Sequence, residues 1–540
     1  MMESKFMRGA LILSTATLIS KILGFIYIIP FTNLVGAEGY ALYKYAYGPY
    51  TILLSISTIG LPLAVSKLVS KYNELGNYSV GLTVLRYGLI LMIFSGFISF
   101  IALYSFAPFL ADIITDSNDL TGNSWEDVLF VIRLVSFSLL IIPAMSIFRG
   151  YFQGSQSMGP SALSTVIEQI VRIVFILVGG YVTIHILESS VTNAVGIATF
   201  AAFVGGLAGL GVLLIVYFKR RGLIMKQRDA SPDNVDIKII PLFKELIGYS
   251  LPFVIAGLTI PIYQNIDTFT INKLFQSIGY SLNEAEIINS VIGLAQILVL
   301  VPVSLATAFG MSLIPGITTS FVSGKMEEVH NKITQTIQIL LFFTLPAGMG
   351  LCLLGKPVYI MLFGLDTSPQ LGGQILQWYA LAAVVFALFT VTTAIMQGIN
   401  KQKKVIIGIG VGIVVKISLN VLLVPDFKEL APILATYCGF SVSVLYNVYV
   451  IKKAIHFHVK PLIQSLIPMT GIVIVMSLAV LGVKYSIDIL LSNEWGTNSH
   501  ARISSILSIV TGILVYLGLG RNLKLVKEFK IFNRRKSAES

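Results

Sequence analysis

Three basic side chains interrupt apolar runs where charge is costly. They are Lys21, Arg172 and Lys416. A base at the centre of a membrane-spanning helix costs about 2.5–3.5 kcal/mol on insertion scales, so such residues face a bundle interior or a water-filled cavity and mark a pathway. A cavity lined by bases accepts an anion; carboxylates would be expected for a cationic cargo. Glu168 lies four residues before Arg172, on the same helix face, and an internal Glu168–Arg172 pair is the structural alternative there. Lys21 and Lys416 have no acid three or four residues away; Asp267 is the acid best placed to act as their counter-ion or in coupling. Gln264, Asn265, Asn272 and Gln296 are candidate polar lining, each also explicable as a helix–helix hydrogen bond. A fourth base, Arg133, is near a helix end and able to snorkel.

The elements holding these residues must be transmembrane. Of 540 residues 55% are hydrophobic and 12% charged, with a mean hydropathy of +0.84; soluble domains carry about 25% charged residues. Spans of about 20 apolar residues fall near 8–30, 46–70, 83–110, 127–150, 161–184, 192–218, 246–274, 288–316, 332–355, 373–399, 404–424, 430–451, 462–484 and 501–520, fourteen in all. Cytoplasmic loops are rich in Lys and Arg. With both termini cytoplasmic, inside segments hold 28 of the 38 basic residues and outside loops six. Misplacing one helix would reverse every downstream loop and destroy this asymmetry. The net charge of +12 therefore reads as topology and attraction to anionic membrane lipids, and no nucleic-acid partner is expected. The first apolar run is long enough to span and lacks a clear cleavage site, so no cleaved signal peptide is expected.

The chain repeats weakly at about 244 residues. Phe152-Gln153-Gly154 matches Met396-Gln397-Gly398, and eighteen residues past each glycine stands Arg172 or Lys416. Gly76 and Gly324 correspond similarly. A six-helix offset preserves orientation, predicting two parallel six-helix repeats forming a two-lobed cavity, plus two added C-terminal helices. The divisions expected are an N-lobe at 1–218, a basic linker at 219–245, a C-lobe at 246–452, helices thirteen and fourteen at 453–520 and a basic tail at 521–540. Pro62, Pro252, Pro261, Pro302 and Pro315 are expected to kink long helices. Cys352 and Cys438 show no metal or disulfide spacing, and no phosphate-binding loop, metalloprotease or hydrolase motif occurs. A transporter is expected, with no cofactor; a coupling cation, Na+ or H+, is left open.

The stretch Phe148-Arg149-Gly150-Tyr151-Phe152-Gln153-Gly154-Ser155-Gln156-Ser157-Met158, continuing to Glu168-Gln169 and Arg172, resembles the Gram-positive branch of polysaccharide-type flippases. This branch includes the MurJ-type and stage V sporulation protein B groups of the MOP exporter superfamily. Ser20-Lys21-Ile22-Leu23-Gly24-Phe25 and Gly36-Ala37-Glu38-Gly39-Tyr40 are similar to the same family's first helix and loop. The resemblance covers essentially the whole chain. It implies flipping of lipid II, an undecaprenyl pyrophosphate-linked precursor of the cell wall, through a central cationic cavity in the bacterial plasma membrane, with the last two helices grooving the lipid tail and cell-wall synthesis proteins as potential partners. The family's first-helix arginine falls on Lys21, a second on Tyr27 and a third near Gln296, which shifts the weight onto Lys21, Arg172 and Lys416. A flippase for another undecaprenyl-linked glycan (teichoic acid, capsule or spore polysaccharide) is the alternative. A membrane glycosyltransferase would need an acid beside a large outer loop, and a non-transporting scaffold would have no need of the three bases.

Overall fold

The structure, a computed structural model, describes residues 2–58, 60–115, 119, 121–231, 239–311, 314–458, 460–490 and 497–522. Part of the expected linker, at 232–238, and nearly all of the expected basic tail, at 523–540, lie outside the described residues. Among those described there are helices and turns and no strand. Backbone polar groups in hydrocarbon have to be satisfied internally, and helices do this within one segment.

The chain divides into two compact units, Met1–Glu286 and Ile287–Ser540. In the first, α1 (Met2–Ile26) leads through Tyr27 into α2 (Ile28–Thr58), interrupted at Gly36 by φ 71°, and α3 (Leu61–Glu74) follows a left-handed Gly60 with Pro62 in its first turn. This break is the hinge expected at Pro62. Next come α4 (Tyr78–Ile114), α5 (Trp125–Ser136), α6 (Ile142–Gly154), α7 (Met158–Tyr181), α8 (Val191–Asp229) and α9 (Ile239–Gln276). A 3-10 turn at Phe137–Leu140 and Pro143 in the first turn of α6 separate α5 from α6. Here α1 packs along α7, α7 along α8, α3 against α6, and α9 against α2, α3 and α4. Val65, Leu68, Val84, Leu85, Ile147, Phe152 and Leu213 form a shared apolar core. The glycines of the Gly150–Gly154 motif let α6 approach α3 closely: a Cβ on either would overlap the backbone oxygen of Pro62 or Ser66.

The second unit contains most of α10 (Leu282–Met311), then α11 (Ile314–Val322), α12 (Met326–Leu353), α13 (Gly355–Phe363), α14 (Pro369–Tyr379), α15 (Ala382–Gly398), α16 (Gln402–Phe427), α17 (Ala431–Ile455), α18 (Lys460–Leu490) and α19 (Thr497–Asn522). Pro302 is carried inside α10, and Pro315 sits in the first turn of α11. The hairpin α16–α17 packs on α15, and α18–α19 pack on α12 and α13.

Among the described residues, ten stretches are long and apolar enough to span a membrane, or eleven with the pair α14–α15, bent by 45°, taken as one. Gln402–Ile455 takes in two of the spans expected from sequence, 404–424 and 430–451, and Thr15–Thr58 covers most of 8–30 and the first half of 46–70. Their outward faces are apolar: on α4, Phe94 is 65% and Phe106 62% exposed. A soluble protein rarely carries patches of this extent; lipid is their solvent.

The internal repeat has a backbone counterpart. After α6 the Ser157 N–H donates to the Phe152 carbonyl at 2.9 Å across a residue with φ 55°; after α15 the Lys401 N–H donates to the Met396 carbonyl at 2.7 Å across one with φ 57°. Gly76 and Gly324 close the same turn, with φ 74° and 71°. Counted from Met158 and Gln402, Arg172 and Lys416 are each the fifteenth residue of their helix.

Candidate functional site

In the first unit, α7 carries the charged groups and α8 approaches it through glycine. A Cβ on Gly205 would sit 2.8 Å from the Glu168 carbonyl oxygen and 2.9 Å from the Arg172 Cβ. This close crossing of small residues is a common membrane packing mode. It fixes the height of Glu168 and Arg172 in the bundle.

The expected Glu168–Arg172 pair does not form. Glu168 is taken by Arg149 of α6, whose Nη2 donates to Glu168 Oε2 at 2.7 Å. The same nitrogen donates to Ser164 Oγ at 2.9 Å, and Ser164 Oγ in turn donates to the Gly209 carbonyl at 2.9 Å. A guanidinium reaching across from a neighbouring helix satisfies the carboxylate and a hydroxyl together, which an i,i+4 partner cannot do. Arg149, counted from sequence as a cytoplasmic loop base, is thus an interior residue.

Arg172 lies instead against an aromatic stripe of α2. Its Cζ is 5.8 Å from the centre of the Tyr47 ring, within cation–π range. Tyr47 stacks on Tyr43 at 4.3 Å, and the Tyr43 and Tyr27 hydroxyls share a 2.8 Å hydrogen bond. Arg172 Nε and the Tyr47 hydroxyl are buried with no hydrogen-bond partner among the described residues. No carboxylate among the described residues lies within 4.0 Å of the Arg172 side chain. Buried donors are normally satisfied, so this cluster has hydrogen-bonding capacity left for an incoming acceptor. The signal that sequence analysis passed over is plain: Tyr40, Tyr43, Tyr47 and Tyr50 recur at helical spacing.

Lys21 is exposed on α1. Ser20 Oγ donates to the Thr165 carbonyl at 3.3 Å, and Gly24 faces Gln169. This register sets Lys21 level with Val166, six residues before Arg172, about 9 Å along the helix at 1.5 Å per residue. Arg133, expected to snorkel, lays its guanidinium 4.7 Å from the Tyr104 ring centre.

On α9, Asp267 and Asn265 are buried and Gln264 is half-buried. Asn265 Nδ2 donates to the Pro261 carbonyl at 2.8 Å, and its side chain presses on Gly48 of α2. Asn272 Nδ2 donates to the Tyr45 hydroxyl and to the Ile114 carbonyl, at 2.8 and 3.0 Å. The helix–helix reading therefore describes Asn272, whereas the Asn265 hydrogen bond stays within α9.

In the second unit Gln296 is buried on α10, and Lys416 is wholly buried, 0% exposed. Lys416 Nζ donates to Thr436 Oγ1 at 2.6 Å and to the Pro432 carbonyl at 3.5 Å. Of the two environments expected for such a base it occupies the bundle interior, with oxygens of α17 around its ammonium.

Residues 6–321 match the family described as "Polysaccharide biosynthesis protein". The chain is 41% identical over 535 residues to "Lipid II flippase MurJ" of Bacillus subtilis (strain 168), covering 99% of this chain and 98% of that one. The chain belongs to this family, in its MurJ-type branch. The fold of the MurJ-type branch agrees. A solved structure of "Lipid II flippase MurJ, inward closed conformation" superposes with a TM-score of 0.61 at 16% identity, covering 95% of this chain and 99% of that one. An inward-facing "multidrug resistance MATE family transporter of the MOP superfamily" gives 0.62 at 15% identity, covering 86% and 98%. This MurJ-type chain is a multi-pass membrane protein with the fold of transporters.

Proposed function

We propose that the chain flips lipid II from the inner to the outer leaflet by alternating access, with both termini in the cytoplasm. The observation that carries this reading is Arg172: a guanidinium in the middle of α7, against Tyr47 and without a carboxylate partner among the described residues, with Nε still unsatisfied. A diphosphate supplies the acceptors it lacks, and Arg forms bidentate, charge-assisted bonds with phosphate. Lys21, exposed about two turns away along the paired helices, would meet the headgroup as it enters. Lys416 would become available to an anion only when α16 and α17 loosen their hold on its ammonium. Asp267 is the candidate for counter-ion or cation coupling; Glu168 serves Arg149. An inside-negative potential assists export of negative charge by about 2.3 kcal/mol per charge per 100 mV.

The test is growth of a flippase-depleted bacterium carrying Arg172→Ala or Lys21→Ala at normal membrane levels, with outer-leaflet lipid II read by a toxin that cleaves it in whole cells. Loss of growth and of toxin-sensitive lipid II is expected. Growth and exposure equal to the parent in both variants would overturn the proposal; growth without lipid II exposure would point to another lipid-linked glycan.

A further inference from the structure

The second unit has a cavity of about 350 Å³ that the transport reading does not use, lined by Lys356 and Ile360 of α13, Lys484 and Asp488 of α18, and His500 and Ser504 of α19. It sits where α13 and α19 begin and α18 ends, on the face that the basic-residue asymmetry assigns to the outside. Four features make it an anion site. Lys484 Nζ is held at the cavity by donating to the Leu353 carbonyl at 3.3 Å, at the carbonyl end of α12, where the helix dipole favours a cation. Lys356 is exposed at the first turn of α13, an end that carries partial positive charge. Asp488, the one acid among the described residues lining the cavity, is engaged by His500 Nε2 at 3.3 Å, and two ammonium groups stand against its single negative charge. Ser504 is 1% exposed, and its hydroxyl has no hydrogen-bond partner among the described residues. A buried hydroxyl in that state calls for a ligand in the cavity.

We propose that this cavity binds a phosphate group, presented by the headgroup of an anionic phospholipid. Two ammonium donors and a hydroxyl suit the phosphate oxygens. The neighbouring surface of α18 is apolar, with Tyr485 70% and Ile489 59% exposed, as the acyl chains of the same lipid would require. The ligand would tie the last two helices to α13, so it should raise the protein's resistance to heat.

The full-length protein, purified into phosphatidylcholine nanodiscs, is melted at rising fractions of phosphatidylglycerol and, separately, with inorganic phosphate. A phosphatidylglycerol-dependent rise in Tm is expected. Its half-saturating fraction should increase at least about tenfold in a Lys356→Ala/Lys484→Ala double variant, less in Ser504→Ala, and little in Lys356→Arg/Lys484→Arg. Lys452→Ala/Lys453→Ala removes two exposed charges elsewhere and should leave it unchanged. A rise produced by inorganic phosphate alone and lost in the Lys356/Lys484 alanine variant would keep the phosphate site but assign it to a soluble anion. No rise with either ligand, an unchanged half-saturation in the alanine variant, or an equal loss in Lys452→Ala/Lys453→Ala would overturn the proposal.

Discussion

Two arginines 23 residues apart in sequence, Arg149 and Arg172, do different work, and substitution separates them. Arg149 is 20% exposed and Glu168 15%, so their ion pair is partly screened. Arg149→Ala leaves Glu168 uncompensated and should cost about 1–3 kcal/mol, between exposed and buried pairs. A double-mutant cycle with Glu168→Gln, read by thermal unfolding in detergent, should return a coupling of about 1 kcal/mol or more. Arg172→Ala forfeits a cation–π contact worth about 0.5–2 kcal/mol, so melting should change little while transport is lost. A third residue titrates in the open. The Asp119 carboxylate accepts hydrogen bonds from the Thr121 hydroxyl at 2.6 Å, the Leu282 N–H at 2.7 Å and the Thr121 N–H at 3.0 Å, which hold its pKa down at about 2. The folded value lies below the unfolded one of about 3.9. The contribution is therefore complete above pH 4 and lost as pH falls towards 2. Asp119→Asn should be less stable than the parent at pH 6, and the gap should close in acid; an unchanged gap down to pH 2 would refute the assignment.

At the scale of helices, the α7–α8 crossing positions the site. Gly205→Val places side-chain atoms where the Glu168 backbone and Arg172 already lie. Overpacking of this kind costs about 1–3 kcal/mol, and the displacement of Arg172 should reduce transport as well. Gly211, on the same helix with open space around it, should accept Ala without loss of activity, which gives the internal control. Helix-level features were legible in the sequence wherever one segment decides them: long apolar spans, ten or eleven among the described residues against the fourteen expected, the break at Pro62 and the paired glycine turns reappear. The partner of Glu168 was not legible. Helical periodicity offers Arg172 at i+4, whereas Arg149 becomes available only once α6 and α7 pack side by side.

For the whole molecule, the positive-inside count makes a directional prediction. In a chain with Cys352 and Cys438 replaced by Ala, cysteine at Lys325 should be shielded from a membrane-impermeant thiol reagent in intact cells, and cysteine at Ser277 should be labelled. The reverse pattern would invert the topology and, with it, the direction of the proposed export. The repeat also acts at this scale. Matched turns carry the two bases to the same helical position, yet Arg172 meets an aromatic stripe and Lys416 an oxygen cage. The two halves therefore should not contribute equally: Lys416→Arg, which cannot fit a cage built for an ammonium, should impair folding or closure more than Arg172→Lys does.

Hydropathy and the placement of basic residues determined, from the sequence alone, that this chain is a helical membrane protein with charged residues within its spans. These are properties of single segments and of loop composition, and lipid enforces them one helix at a time. Which base pairs with which acid, that the tyrosines of α2 shelter Arg172, and that Lys416 is enclosed were decided by tertiary structure. Each depends on side chains from different helices meeting at a particular height, and no periodicity within one helix records that height.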